Sequence, residues 1–212
     1  MVTGIEVELK LRAEDEEPLF ELASMPELGP AVLGPLREFD ELDRYLDTVD
    51  RRLAEAGWAC RLRTRGAEWP RLSLKGPARH ASGAALHRRP EVEGPAGASA
   101  DPADWPASRA RDALLRLSGG RPLVERLALR QGRGERSVSL RGREVATLSL
   151  DRVSVVCDGM PRGRFLAVEL EWRGRRPAAA GRIEQALLAT TGLRPEPSSK
   201  LERALAMLGG GP

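Results

Sequence analysis

Apolar and polar residues alternate with a period of two along much of the chain, the spacing of β-strands whose two faces meet different surroundings. In residues 5–11, Ile5, Val7, Leu9 and Leu11 share one face, while Glu6, Glu8 and Lys10 share the other. Residues 60–65 repeat the pattern with arginines, and 71–75, 89–93, 123–130, 137–141, 145–151 and 165–171 follow; a short strand is expected at 43–46. Roughly eight or nine strands of this kind suffice to close a small barrel. Helical spacing occupies 15–28, with acids in its first turn and Pro26 to end or kink it. It recurs at 107–118, stopped by Gly119, at 179–191, stopped by Gly192, and in a last helix capped by Ser198 or Ser199 and running to Leu208. Residues 94–107, rich in Gly, Ala, Ser and Pro, read as a long connection, and Gly132 and Gly134 around Arg133 read as a turn. One domain over 1–208 and a flexible glycine-rich tail at 209–212 are expected, without internal repeats.

Composition narrows the class. Acidic residues number 31 and basic residues 34, interleaved rather than blocked, which is a poor footprint for a nucleic-acid backbone despite a pI near 9.3. Trp58, Trp69, Trp105 and Trp172 are scattered and form no stacking stripe, so no nucleic-acid partner is expected. No apolar run reaches the roughly 18 residues of a membrane helix. The N-terminus carries glutamates where a signal peptide would be basic and then apolar, so a cytoplasmic protein away from membranes is expected. Cys60 and Cys157 match no metal spacing and read as reduced core thiols; His80 and His87 lack ligand partners at useful spacing. Lysine occurs only at Lys10, Lys75 and Lys200, against a background of arginine. If coding bias replaced every tolerant lysine, these three mark places where a compact point charge is needed.

The polar faces of the strands are unusual in their sign. Glu6 and Glu8 share a face, as do Arg61 and Arg63, Glu91 and Glu93, Arg126 and Arg130, and Glu169 and Glu171. Like charges at i and i+2 repel, so ordinary solvated sheet alternates signs. Clustering makes sense where something compensates it, a cation for the carboxylates and a polyanion for the basic groups. Mg²⁺ commonly binds through a few carboxylates together with substrate phosphates, and arginine and lysine neutralise phosphate oxygens. A cavity lined by both suits in-line attack on phosphorus.

The ordered set of motifs resembles the CYTH superfamily, or triphosphate tunnel metalloenzymes. Glu6-Val7-Glu8-Leu9-Lys10 is similar to its opening Glu-x-Glu-x-Lys signature, Tyr45-Leu46-Asp47-Thr48 to its Tyr-x-Asp-Thr element, and Arg61-Leu62-Arg63 to its Arg-x-Arg strand. Leu74-Lys75-Gly76, Arg89-Pro90-Glu91-Val92-Glu93, Asp151, Glu169-Leu170-Glu171 and Ser199-Lys200 follow in the family's order, so the resemblance spans residues 5 to 200. It implies an α+β fold: a closed eight-stranded antiparallel β-barrel, or tunnel, with a charged interior and helices packed outside. It further implies that Glu6, Glu8, Glu169, Glu171 and, more weakly, Asp151 hold Mg²⁺ or Mn²⁺. Lys10, Arg61, Arg63, Lys75, Arg89, Arg126, Arg130 and Lys200 would hold phosphates, and Glu169, Glu171 and Lys10 would carry catalysis. Pro90 suggests an edge or bulge in its strand.

The activity expected first is hydrolysis of inorganic tripolyphosphate to pyrophosphate and phosphate, with a triphosphate or inorganic polyphosphate as partner. The resemblance equally admits nucleoside or thiamine triphosphate hydrolysis and a class IV adenylate cyclase reaction, in which a ribose hydroxyl replaces water. An aromatic content of 4% weakly disfavours a dedicated base-stacking pocket. A non-catalytic polyphosphate-binding module is the alternative outside enzymology, and the presence of all four family glutamates counts against it.

Overall fold

The computed structural model describes residues 4–77, 79–80 and 86–209; the side chains of Arg79 and His80 and the tail residues 210–212 lie outside this description. In chain order the elements are β1 (Gly4–Ala13), α1 (Glu17–Ser24), β2 (Glu27–Leu28), β3 (Ala31–Leu33), β4 (Arg37–Thr48), α2 (Arg52–Glu55), β5 (Ala59–Arg65), β6 (Arg71–Lys75), β7 (Arg79–His80) and β8 (Leu86–Pro95). A 3-10 turn (Pro102–Asp104), α3 (Arg109–Ser118), β9 (Leu123–Leu140), β10 (Arg143–Cys157), β11 (Met160–Trp172), α4 (Ala180–Leu188), β12 (Leu193–Pro195) and α5 (Lys200–Met207) complete the chain. Strands pair in the order β10-β11-β1-β8-β6-β5-β4-β9, and β9 returns to β10, closing an antiparallel barrel of eight strands.

The alternation sorts side chains as the sequence implies. The apolar faces turn outward and are covered by helices. Val7, Leu9 and Leu11 of β1 join Leu148, Val168 and Leu170 beneath α1 and α4, with Leu19, Leu22, Ile183 and Leu187 on the helix side. Leu62, Leu72, Leu74 and Val92 pack against Ala110 and Leu114 of α3. Helix ends follow their local signals: Ser108 caps α3, Gly119 closes it in the left-handed conformation, and Ser199 opens α5 in a reciprocal capping box with Glu202.

Several expectations need correction. The first helix is shorter than 15–28, because it stops at Ser24 ahead of Pro26. Its C-terminal carbonyls are bound by a buried guanidinium, for Arg136 of β9 donates to Leu22, Ala23 and Met25 and also to Leu33 and Gly34. The short strand at 43–46 is a 12-residue β4. Pro90 causes no bulge: β8 keeps its register with β1 through Pro90, just beyond the last β6 pair, and the Pro90 carbonyl accepts from Gly76 N–H. The turn expected at 132–134 is the middle of one 18-residue strand. Gly132 lies between Asp40 and Arg152, and Gly134 between Glu38 and Leu150, with ladders on both sides. Leu36 occupies the space a side chain would need, since a Cβ at Gly134 would sit 3.0 Å from Leu36 Cδ1.

This continuity sets the parity of β9. Leu127, Leu129, Gln131 and Arg133 face inward, and Arg126 and Arg130 face outward into solvent. The interior is therefore not charged throughout. At one end Tyr45, Leu127, Leu129, Val153, Val155 and Phe165 form an apolar plug, over which α5 lays Ala204, Leu201 and Leu205. No described helix is long and apolar enough to cross a membrane.

Candidate active site

The rest of the interior is a charged cavity of about 130 Å³, with walls that include Glu6, Glu8, Lys10, Arg61, Arg89 and Glu169. Barrel closure brings together residues from both ends of the chain: Lys10 of β1 lies opposite Glu169 of β11, and Lys200, the first residue of α5, reaches in from the cap. Of the residues proposed from sequence, Glu6, Glu8, Lys10, Arg61, Arg63, Lys75, Arg89, Glu169, Glu171 and Lys200 all line this one cavity. Arg126 and Arg130 do not. Their side chains are exposed on the outer face and make no hydrogen bond or ion pair among the described residues. Asp151 is fully buried beside the cavity rather than on its wall, clamped by Arg133 at 2.8 Å and Lys200 at 2.7 Å.

Ligand-free, the interior neutralises itself. Lys75 Nζ lies 2.6 Å from Glu6, and Arg89 bridges Glu6 at 2.7 Å and Glu8 at 2.8 Å. Burial alone would raise the Glu6 pKa, but Lys75 and Arg89 outweigh it and hold the carboxyl well below its usual range. Glu169 behaves alike: Lys200 and Arg133 overcome its burial. Lys10, 3.1 Å from Glu8, is pulled below the usual lysine range by burial, which Glu8 only partly offsets.

Two acidic residues missed from sequence, Glu41 and Asp43 of β4, supply the countercharges for the arginines. Asp43 binds Arg63 at 2.7 Å and Arg61 at 3.5 Å, and Glu41 binds Arg65 at 2.6 Å and Arg63 and Arg133 at 3.3 Å. Their signal was present as the alternation Glu41, Asp43, Tyr45. Arg133, set in a turn by the sequence pattern, shares the inward parity of Leu127 and Leu129, which that turn concealed. The Tyr45-x-Asp47-Thr48 element is largely structural. Asp47 accepts from the N–H groups of Thr48, Leu53 and Ala54, and Thr48 Oγ1 accepts from Arg52 N–H, so the pair seats α2 at the end of β4. His87 is buried, its Nε2 3.1 Å from the Glu196 carbonyl oxygen.

Glu171 stands apart. Its side chain makes no hydrogen bond or ion pair among the described residues, and solvent reaches it at the open mouth. The barrel wall nevertheless strips enough water, with Glu6, Glu8 and Glu91 adding repulsion, to push its pKa up to about 7. Among the described residues, no three acidic, histidine or cysteine side chains are arranged to hold a metal ion. Glu6, Glu8 and Glu169 are instead engaged by internal cations. The donor chemistry still fits a hard cation, since these are oxygen ligands with one partnerless carboxylate among them.

The sequence pattern of the CYTH domain matches residues 4–205. The chain belongs to the CYTH family. No functionally curated protein matches it. Among solved structures the CYTH barrel is similar to HpAC1 from Hippeastrum, a candidate adenylyl cyclase described as having a dominant triphosphatase activity, with a TM-score of 0.70, 20% identity, and coverage of 97% of this chain and 96% of that one. It is also similar to a candidate adenylate cyclase from Bacillus halodurans, with a TM-score of 0.59, 22% identity, and coverage of 95% and 98%. PH1819 from Pyrococcus horikoshii OT3 gives 0.53, 19%, 94% and 98%. At such identities the likeness establishes the fold of the CYTH barrel and leaves its chemistry to the site.

Proposed function

We propose that this CYTH barrel hydrolyses the terminal anhydride of a triphosphate, with inorganic tripolyphosphate as the minimal substrate and Mg²⁺ or Mn²⁺ as cofactor. The observation that carries the reading is the pairing, inside one cavity, of a glutamate wall containing a carboxylate with no partner among the described residues with a wall of arginines and lysines. Glu6, Glu8, Glu169 and Glu171 are the residues that would hold the metal. Bound there, a divalent cation would supply charge neutralisation for the phosphoryl oxygens.

The chain's own groups divide the remaining work. Arg61 has a spare donor at the cavity, because its Nε has no hydrogen-bond partner among the described residues, and Asp43 lies 3.5 Å from its Nη1. Arg63, Lys75, Arg89 and Lys200 exchange internal carboxylates for phosphate oxygens when a polyanion enters, so the protein gives up existing ion pairs and is not left with bare charges. Glu171 is better suited than Glu169 to orient the attacking water and take its proton. Glu169 is committed to Lys200 and Arg133, whereas the Glu171 side chain makes no hydrogen bond or ion pair among the described residues. Water forms the new P–O bond, the anhydride P–O bond breaks, and pyrophosphate leaves with the electron pair.

A substrate panel tests the reading. Tripolyphosphate, ATP, GTP and thiamine triphosphate are compared with Mg²⁺ and Mn²⁺, with phosphate, pyrophosphate and cyclic AMP measured separately. Release of phosphate that Glu171→Gln abolishes supports it. Cyclic AMP as the main product, or binding without turnover of any triphosphate, overturns it.

A further inference from the structure

Helices seal the outer face of the barrel unevenly. α1 and α4 bury one stretch of it and α3 another. Between them two rows of outward residues cross the strands. One runs Thr64, Leu42, Arg130, Ser154, Arg164, and the next runs Asp40, Gly132, Arg152, Leu166. Every one of these residues is exposed or half-buried.

This panel holds a hollow, and a knob stands next to it. Gly132 has no side chain, and a Cβ there would meet nothing within 4 Å. The gap belongs to a hollow of about 670 Å³ lined by Leu42, Thr64, Arg130, Gly132, Arg152 and Ser154. Phe20 of α1 is 60% exposed, and Arg152, which lines the hollow, stacks on its ring with 5.3 Å to the centroid. Arg152 also binds Glu16 at 2.8 Å, so it fastens the start of α1 to the edge of the panel. An exposed aromatic ring beside an open hollow leaves apolar surface in water at both places.

The charges divide in the same way. Glu14, Glu17 and Glu21 on the Phe20 side are exposed, and their carboxylates make no ion pair among the described residues. Arg130 and Arg164 on the panel side are exposed, and their guanidinium groups make none either. Each half is like-charged, and the two halves are opposite in sign. A surface with a knob and a hollow side by side, flanked by opposite charges, is complementary to itself under a half-turn. That is the requirement for an isologous contact, in which the same patch serves both partners.

We infer that this face pairs two copies of the chain about a two-fold axis near Arg152. Phe20 of each copy enters the Gly132 hollow of the other, and the α1 carboxylates of each face Arg130 and Arg164 of the other. A small anion would neutralise the arginines but leave Phe20 in water, whereas a second copy satisfies the ring, the hollow and both sets of charges. These contacts form only between copies, so the stability of a single barrel does not depend on them. The inference is independent of the triphosphatase reading, because the panel lies outside the barrel wall.

Sedimentation velocity of the full chain, from low to high micromolar concentration, tests the pairing. Wild type should reach twice the monomer mass. Phe20→Gln removes the knob, and Gly132→Tyr fills the hollow at a position where the barrel has room for a side chain. Each should weaken the dimer about tenfold or more, the scale of a lost interface anchor. Two charge-reversed variants locate the axis: Arg130→Glu with Arg164→Glu, and Glu17→Arg with Glu21→Arg. Alone, each sets like charges against like and should stay monomeric. Mixed one to one they should dimerise, since one half of the contact is then wild type and the other has its signs exchanged. A wild type that stays monomeric throughout overturns the inference. So does a dimer that tolerates both Phe20→Gln and Gly132→Tyr, or a mixture of the charge variants that stays monomeric.

Discussion

Replacing Arg133 by methionine tests the inward parity of β9 most directly. The guanidinium is almost fully buried. Its Nε lies 2.8 Å from Asp151, its Nη2 3.2 Å from Glu169 and its Nη1 3.3 Å from Glu41, and the Asp151 and Glu41 side chains are 0% exposed. Removing one member of a buried ion-pair network strands the charge of its partners, at a cost of about 3–5 kcal/mol. Lys200 still binds Asp151 at 2.7 Å and Arg65 still binds Glu41 at 2.6 Å, which places Arg133→Met near the lower figure. For a chain of this size about 3 kcal/mol corresponds to a fall of roughly 6–12 °C in melting temperature. Arg130→Met removes an exposed side chain without partners among the described residues and should stay within about 0.5 kcal/mol, or 1–2 °C. Calorimetric melting of both variants is the assay. Adding Asp151→Asn to Arg133→Met should recover part of the loss, since the stranded charge goes with it. A fall in Arg130→Met as large as that in Arg133→Met would refute the assigned faces, as would an unshifted Arg133→Met.

Further outcomes follow from the same geometry. Glu171 binds a proton up to about pH 7 in the ligand-free fold, so divalent-cation affinity should strengthen as pH rises toward 7 and level off above it, with proton release measurable by calorimetry in buffers of different ionisation enthalpy; a flat profile counts against Glu171 as a ligand. The same raised pKa means that ionising Glu171 disfavours the empty fold. Its contribution to stability should decline as pH climbs from the ordinary glutamate range toward 7, and Glu171→Gln should remove that decline from the melting profile. Lys10, Lys75 and Lys200 each press an ammonium against buried carboxylates at 2.6–3.1 Å, so Lys→Arg at each should slow turnover about tenfold or more, and wild-type rates in two of the three would remove the argument from point-charge shape. Tripolyphosphate at about 100 times its dissociation constant should stabilise the fold by roughly 2.7 kcal/mol; an unmoved melting temperature would mean that the interior cations do not receive it.

Much of this protein was legible in its sequence because a strand's two faces are written at alternate positions. The alternation in Ile5 to Leu11 placed Glu6, Glu8 and Lys10 together, and ten of the thirteen residues singled out by the ordered acidic and basic motifs line one cavity. Helix stops at Gly119 and the cap at Ser199 were likewise local matters of backbone conformation and unsatisfied N–H groups. What the sequence left open depended on neighbours across the barrel. The two glycines beside Arg133 fit a turn until the ladders to β4 and β10 are seen to continue through them, and that continuity reverses the faces of Arg126 and Arg130. The like-charged arginines looked uncompensated because Glu41 and Asp43 lie on another strand, and the ion pairs of Asp151 with Arg133 and Lys200 likewise join separate elements. Alternation is a property of one strand and survives in the sequence. Which charge meets which, and which end of the barrel α5 seals, are set by closure of the ring, which brings together residues that no local pattern relates.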